Sequence, residues 1–159
     1  MTINEKIESE LDHDFFSYGD CIICEIKRMP KLLHLCGYIF VPSWHPFYNK
    51  GDTELNSLFE IDVHGGITYS YSDDFDEWKI GFDCAHGGDI SPGIMGSTSS
   101  SGIITISYPF MDSSYKDWEF TKNETIKLAQ SAYELISEND RTEYSKTISA
   151  RLARKVLSL

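Results

Sequence analysis

The segment from Leu32 to Val41 is apolar on both faces that a β-strand would present, and Pro30 and Pro42 lie on either side of it. This pattern is typical of a strand at the centre of a sheet, where both faces are covered. The β-branched segment 20–28 precedes it, so we expect the two segments to form an antiparallel hairpin across Met29–Lys31. The chain is therefore predicted to fold around a β-sheet.

Further strands are predicted from short apolar runs with polar or glycine-rich ends. These predicted strands cover residues 58–63, 66–72, 78–84 and 103–108. One helical turn is expected over 52–57. The glycine- and serine-rich segment 85–102 is long for a loop in one domain, and such a loop is either a lid over a site or disordered.

Helices are predicted at both ends of the chain. Residues 4–16 have an apolar stripe of period four, with Asn4 as the N-cap. Helices over 122–137 and 141–157 are predicted from capping residues Thr121 and Asp140, each followed three residues later by a glutamate. We predict a single α+β domain over 1–159: an antiparallel-dominated sheet with a short N-terminal helix and two C-terminal helices packed on it.

Charge and composition exclude several classes of protein. The net charge is −11, which argues against a general basic surface for long nucleic acid. No apolar run approaches the ~20 residues that span a bilayer, and the acidic N-terminus is unlike a signal peptide. We therefore expect no membrane partner and a cytoplasmic location.

The charge is distributed unevenly along the chain. Residues 141–159 carry five basic side chains and one acidic one, a net charge of +4, which leaves −15 on residues 1–140. Such a basic tail can dock on its own body, pair with a second subunit, bind a phosphate, or form a solvated helix face.

Two similar corners carry the candidate site. His64-Gly65-Gly66 follows the predicted strand 58–63, and His86-Gly87-Gly88-Asp89 follows the strand that ends at Asp83-Cys84. Polar side chains beside glycines, just past a strand end, are a common way to present groups to a ligand on a rigid base. We predict that both corners lie on one rim of the sheet and face one cavity.

Several roles are open for these residues. The predicted ligand-binding set is His45, Trp44, His64, Gly65, Gly66, Thr68, Asp83, His86 and Asp89. In the enzyme alternative, the catalytic residues are His64 and His86 with Asp83 and Cys84. If a metal is bound, His64, Cys84 and His86 are the expected zinc ligands. Asp62 is two residues before His64 and is predicted to orient it.

Each of these residues also has a structural interpretation. A buried cysteine such as Cys84 is often part of the core. The four cysteines are expected to be reduced, and Cys21 and Cys24 lie in an apolar stretch without the turn that a metal knuckle or redox motif needs.

A resemblance to a known family extends over roughly residues 36–135. The motifs are Val41-Pro42-x-x-His45-Pro46, Asp62-Val63-His64-Gly65-Gly66-Ile67-Thr68 and Gly81-Phe82-Asp83-Cys84-Ala85-His86-x-Gly88-Asp89, with Tyr115-Lys116-Asp117-x-Glu119-Phe120 before a helix. This set resembles a family of small uncharacterised proteins found widely in phage and prophage genomes. The resemblance implies a phage-type accessory protein that acts inside a bacterium.

Small phage proteins of this kind often counter host defence, some by sequestering or cleaving nucleotide immune signals. By this analogy we expect a small phosphorylated or nucleotide-like ligand and a homo-oligomer. The alternative is a hydrolase, in particular a phosphodiesterase that uses His64 and His86, with or without zinc. A second alternative is an acidic interaction module that masks a host protein.

Overall fold

A five-stranded antiparallel sheet organises the part of the chain that the computed structural model describes, residues 2–73, 75–93 and 114–159. The strands are β1 (His13–Tyr18), β2 (Ile22–Arg28), β3 (Leu35–Val41), β4 (Tyr69–Ser72) and β5 (Trp78–Asp83), and their order in the sheet is β1-β2-β3-β5-β4. The helices in these ranges are α1 (Ile3–Ser9), α2 (Asp52–Leu58), α3 (Trp118–Tyr133), α4 (Glu138–Ser145) and α5 (Ile148–Leu157). The predicted α+β class is confirmed.

Strand β3 is the central strand, as its apolar sequence predicts. All seven of its residues are buried. It pairs with β2 through the predicted hairpin, in which Ile23 lies opposite Phe40, and with β5, in which Ile80 lies opposite Ile39. The predictions of a central strand and an antiparallel hairpin are both confirmed.

Helix α3 covers one face of the sheet and approaches it closely at Gly37. A Cβ atom built on Gly37 would overlap Thr125 Oγ1 and lie 2.6 Å from the Phe82 ring. The buried face of the helix carries small side chains over most of its length: Thr121, Thr125, Leu128, Ala129 and Ala132. Small residues on the helix and a glycine on the strand let the two backbones come together.

The predicted N-terminal helix over 4–16 is wrong in extent. Helix α1 ends at Ser9, and its N-cap is Thr2, which forms a capping box with Glu5. Residues 13–18 form the edge strand β1, in which Phe15 lies opposite Glu25. Pairing with the free edge of β2 satisfies the backbone of this segment, which overrides its helical spacing.

The predicted strand over 58–63 is also absent. Helix α2 continues through Leu58, and residues 59–63 have no regular secondary structure. Glu60 has a φ of 44°, which interrupts an extended conformation. The predicted strand over 66–72 begins only at Tyr69, because the turn at Gly65 and Gly66 holds the preceding residues out of the ladder.

The C-terminal helices differ from their predicted bounds. Helix α3 begins four residues early because the Asp117 carboxylate caps it by accepting the N–H of Phe120 at 2.8 Å. The predicted helix 141–157 is two helices, α4 and α5, and Ser137 rather than Asp140 is the N-cap of α4. The predicted strand 103–108 and half of the predicted lid, residues 94–102, lie outside the described residues.

The basic tail docks on its own body, which is one of the alternatives open from the sequence. Lys155 is buried, pairs with Asp73 and Glu77, and stacks 3.7 Å from the centre of the Phe40 ring. Arg151 is buried and donates to the carbonyl oxygen of Cys21 at 2.9 Å. These two cations are therefore not available to a ligand or a second subunit.

Two further findings concern the cysteines and the length of the helices. All four cysteines are free and buried. In the ranges that the structure describes, no helix has both the length and the apolar character needed to cross a membrane.

Gly37→Ala is expected to destabilise the fold by about 1–3 kcal/mol, because an added methyl group would force α3 away from β3. Equilibrium unfolding in urea measures this change. Gly87→Ala is the matched control, since a Cβ atom there meets nothing within 4 Å, and we expect its free energy of unfolding to stay within about 0.5 kcal/mol of the wild type. Equal stabilities for the two variants would contradict the close packing of α3.

Candidate functional site

The two His-Gly-Gly corners meet, as predicted from the sequence, but neither histidine is among the residues that line the cavity beside them. The ring centres of His64 and His86 are 5.5 Å apart. The Asp89 carboxylate joins the corners, because its Oδ2 atom accepts from His64 Nε2 at 2.7 Å and from the His86 backbone N–H at 3.0 Å. The Asp89 side chain is only 2% exposed. A buried carboxylate thus fixes the orientation of His64 and the backbone of the second corner.

Glycine is needed in both corners for backbone conformation. Gly65 has a φ of 69° at the third position of a turn that the Gly66 N–H closes onto the Val63 carbonyl at 2.9 Å. Gly88 has a φ of 91° at the third position of the turn closed by the Asp89 N–H onto the His86 carbonyl, at 2.8 Å. Positive φ at this position favours glycine. The His-Gly-Gly tripeptide therefore takes part in two turns, but histidine is at the second position of the first turn and at the first position of the second.

Gly65 also provides space for the second histidine. A Cβ atom on Gly65 would overlap His86 Nε2. The other side of His64 is held by α3, where the Phe120 ring packs edge-on at 5.2 Å and the Glu124 carboxylate accepts the His64 N–H at 2.9 Å. Packing on both sides restricts His64 to one position.

A small cavity lies next to these corners. Its volume is about 190 Å³, and its lining residues are Met29, His34, Cys36, Tyr38, Thr68, Tyr69, Phe82 and Asp83. Two of these, Thr68 and Asp83, belong to the predicted ligand-binding set. The Thr68 hydroxyl donates to Asp83 Oδ2 at 3.2 Å, and the Ala85 N–H donates to Asp83 Oδ1 at 2.9 Å.

Asp83 connects the cavity to the histidine corners. His86 Nε2 lies 3.4 Å from Asp83 Oδ1, within range of a charge interaction but without the alignment of a hydrogen bond. His86 Nε2 is therefore a buried nitrogen without a hydrogen-bond partner. The order in space is cavity, Asp83, His86, His64 and Asp89.

His34 belongs to this site and is missing from the sequence-based set. It is 8% exposed, lines the cavity, and its Nδ1 atom is buried without a hydrogen-bond partner. Burial lowers the pKa of His34 below its ordinary value of 6.5, so the ring is neutral at neutral pH. The available sequence signal was an ionisable side chain just before an otherwise apolar strand.

Cys84 is a core residue, and its predicted roles as nucleophile and zinc ligand are wrong. It is buried, with Sγ 3.6 Å from Thr121 Oγ1. Burial raises the pKa of its thiol to about 12, and only a thiolate attacks a substrate or binds zinc. Across residues 2–73, 75–93 and 114–159, no three His, Cys, Asp or Glu side chains are placed to hold a metal ion. The expected site of His64, Cys84 and His86 is not formed.

His45 is separate from the site, contrary to its predicted role in binding. It is buried; its Nδ1 accepts the Phe47 N–H at 3.0 Å and its Nε2 donates to the Ala132 carbonyl at 2.8 Å. Ala132 and Phe120 are twelve residues apart on α3, which is about 18 Å along a helix. His45 therefore holds its loop to the far end of α3.

Two further residues from the predictions are not among the contacts of the two corners. Trp44 is 49% exposed and packs edge-on against Tyr144, with ring centres 5.3 Å apart, at the same far end. The Asp62 side chain is 95% exposed, and its Oδ2 atom lies 3.7 Å from Lys127 Nζ. Asp89 supplies the carboxylate that Asp62 was expected to supply.

The site is rich in carboxylates. Asp83, Asp89 and Glu124 all contact the two corners, and Lys116 Nζ lies 3.7 Å from Asp89 Oδ1. These charges therefore favour a ligand group that donates hydrogen bonds over a group that carries several negative charges.

Comparison of this chain with protein-family models, with curated proteins and with solved structures gives no match. The resemblance to the phage and prophage family stays a prediction. The chemistry of the site is therefore argued from its geometry.

The structural role of His45 predicts a pH dependence of stability. Burial lowers the pKa of His45 below 6.5, so the unfolded chain binds a proton there at a higher pH than the folded chain. The free energy of unfolding should then fall as pH decreases from about 6.5 towards the folded-state pKa, by at most about 1.4 kcal/mol per pH unit for one proton.

Urea unfolding at several pH values between 7.5 and 5 measures this slope. His45→Gln should make the slope smaller than that of the wild type. A His45→Gln variant with the wild-type slope would show that His45 is not held neutral.

Proposed function

We propose that this chain binds a small nucleotide-like ligand in the cavity beside the two His-Gly-Gly corners. The observation that carries the proposal is His34, a buried residue that lines that cavity and whose Nδ1 atom has no hydrogen-bond partner. Leaving a buried polar atom unpaired costs about 1–3 kcal/mol. A ligand that supplies the missing hydrogen bond offsets this cost.

The shape of the cavity supports a ligand with one flat ring system. Its volume of about 190 Å³ is smaller than the roughly 300–1,000 Å³ of pockets for drug-sized ligands. Aromatic side chains form part of the wall, and the rings of Tyr38 and Tyr69 hold each other edge to face at 5.3 Å. Aromatic walls suit a nucleobase, because bases stack favourably on aromatic rings.

The biological setting of the proposal comes from the sequence resemblance. In that setting the chain is a phage-type accessory protein in a bacterial cytoplasm, and it sequesters a nucleotide immune signal, as a homo-oligomer. The buried positions of Arg151 and Lys155 mean that a second subunit does not lend these cations to the site. Binding therefore relies on the base-sized part of the ligand.

His34→Ala should weaken binding of the ligand about tenfold or more, because it removes a buried hydrogen-bonding group from the cavity wall. Mass spectrometry of the material released by heat from the purified protein identifies the ligand, and calorimetric titration with nucleoside monophosphates measures affinity. His13→Ala is the matched control, since His13 pairs with Glu25 on the sheet. Equal affinities for both variants would remove His34 from the site, and failure of the wild type to bind any nucleotide would reject the proposal.

Hydrolysis is the second candidate function, and the His64–Asp89 pair favours it. A buried carboxylate 2.7 Å from a half-buried imidazole is the arrangement that orients a general base. In a phosphodiesterase reaction, His64 would accept a proton from water as the water oxygen bonds to phosphorus. His86 would then donate a proton to the leaving alkoxide as the P–O bond breaks.

In that case Asp89→Asn should lower kcat about 100-fold or more, the usual contribution of positioned acid–base groups. Asp62→Asn is the control, because the Asp62 side chain is exposed. Chromatography of a nucleotide incubated with each protein measures turnover, and circular dichroism checks the fold. Intact nucleotide recovered from the wild type would leave binding alone, and equal kcat values for the folded variants would show that the pair does not act in catalysis.

A further inference from the structure

Asp83 supplies a carboxylate to the lining of the cavity. A carboxylate has about four acceptor sites on its two oxygens. Each Asp83 oxygen already accepts one hydrogen bond, from Ala85 or from Thr68. Asp83 therefore keeps acceptor capacity on both oxygens, side by side in one plane.

His34 adds to this acceptor-rich wall. Its ring is neutral because burial lowers its pKa, and a neutral imidazole has one donor and one acceptor nitrogen. The Thr68 hydroxyl, which also lines the cavity, already donates to Asp83. The free acceptor sites of Asp83 are therefore best matched by donors that the ligand brings.

We propose that the cavity, which His34 also lines, selects a planar group with two adjacent N–H donors that the Asp83 carboxylate accepts in parallel. This inference rests on the proposed ligand-binding function and names the part of the ligand that the cavity recognises. Two sources carry this chemistry: the edge of guanine with its ring N–H and 2-amino group, and a guanidinium. Both are flat enough for a wall formed by Tyr38 and Tyr69.

Other bases lack the matching pair of donors. Adenine presents one amino group beside an acceptor nitrogen, and that acceptor would face a carboxylate oxygen. Hypoxanthine has the ring N–H but no 2-amino group, so one Asp83 oxygen would be left without its second partner. A site built to accept two hydrogen bonds discriminates against analogues that supply only one.

Calorimetric titration of the full chain with GMP, IMP, AMP and L-argininamide tests this selectivity. GMP should bind about tenfold or more tightly than IMP and AMP, the usual consequence of one lost hydrogen bond to a charged group. Asp83→Asn replaces one acceptor by a donor and should abolish the preference, whereas Asp62→Asn should keep it. Perturbation of the His34 ring signals in NMR spectra by GMP locates the ligand in the cavity.

The outcomes separate this inference from the proposed function. Equal affinities for GMP, IMP and AMP would overturn the inference and leave nucleotide binding intact. Binding by none of the four compounds would reject both. Tighter binding of L-argininamide than of GMP would support the recognition of paired donors and identify a guanidinium as their source. The ligand series on the wild-type chain decides the question even if Asp83→Asn fails to fold.

Discussion

The close approach of α3 to β3 at Gly37 is the constraint on which the rest of the structure depends. Because neither backbone carries a bulky side chain there, the helix is fixed against the sheet along its whole length. Its N-terminal half then supplies Phe120 and Glu124 to the first histidine corner, and its C-terminal end accepts a hydrogen bond from His45. One packing contact thus positions both the site and the loop at the opposite end of the molecule. A helix held further from the sheet would lose both sets of contacts.

Within the site, Asp89 is the residue that holds the two histidine corners together. Burial of a carboxylate is unfavourable unless its oxygens are hydrogen-bonded or paired with a charge. Here His64, the His86 backbone and Lys116 provide those partners. These contacts tie one turn to the other, so the orientation of His64 depends on the second corner as much as on its own. The two glycine turns permit this arrangement because they bring the His86 ring against Gly65 without a steric clash.

The elements that could be predicted are those specified by residues close together in the sequence. The central strand, its hairpin partner and the glycine corners could all be recognised from apolar runs and turn residues. The pairing of His64 with Asp89, across 25 positions, could not be read in this way. Sequence proximity favoured Asp62, which is exposed, and the regular spacing of Cys84 and His86 suggested a zinc site, although the thiol is buried beside Thr121. Local spacing shows which groups are near one another along the chain, whereas burial decides which of them are paired.

The relation between the cavity and the His64–Asp89 pair bears on the choice between binding and hydrolysis. The two are joined by short steps: Asp83, in the cavity wall, lies 3.4 Å from His86 Nε2, and the His86 and His64 rings are 5.5 Å apart. A ligand group that extends from the cavity beyond Asp83 would therefore reach His86 and then His64. The carboxylates along this path repel a phosphate, which opposes tight binding of the ground state at that point. Retention of an intact ligand thus requires that its ring provide most of the affinity, whereas cleavage requires that His86, as the proton donor, offset the repulsion between the phosphate and the acids.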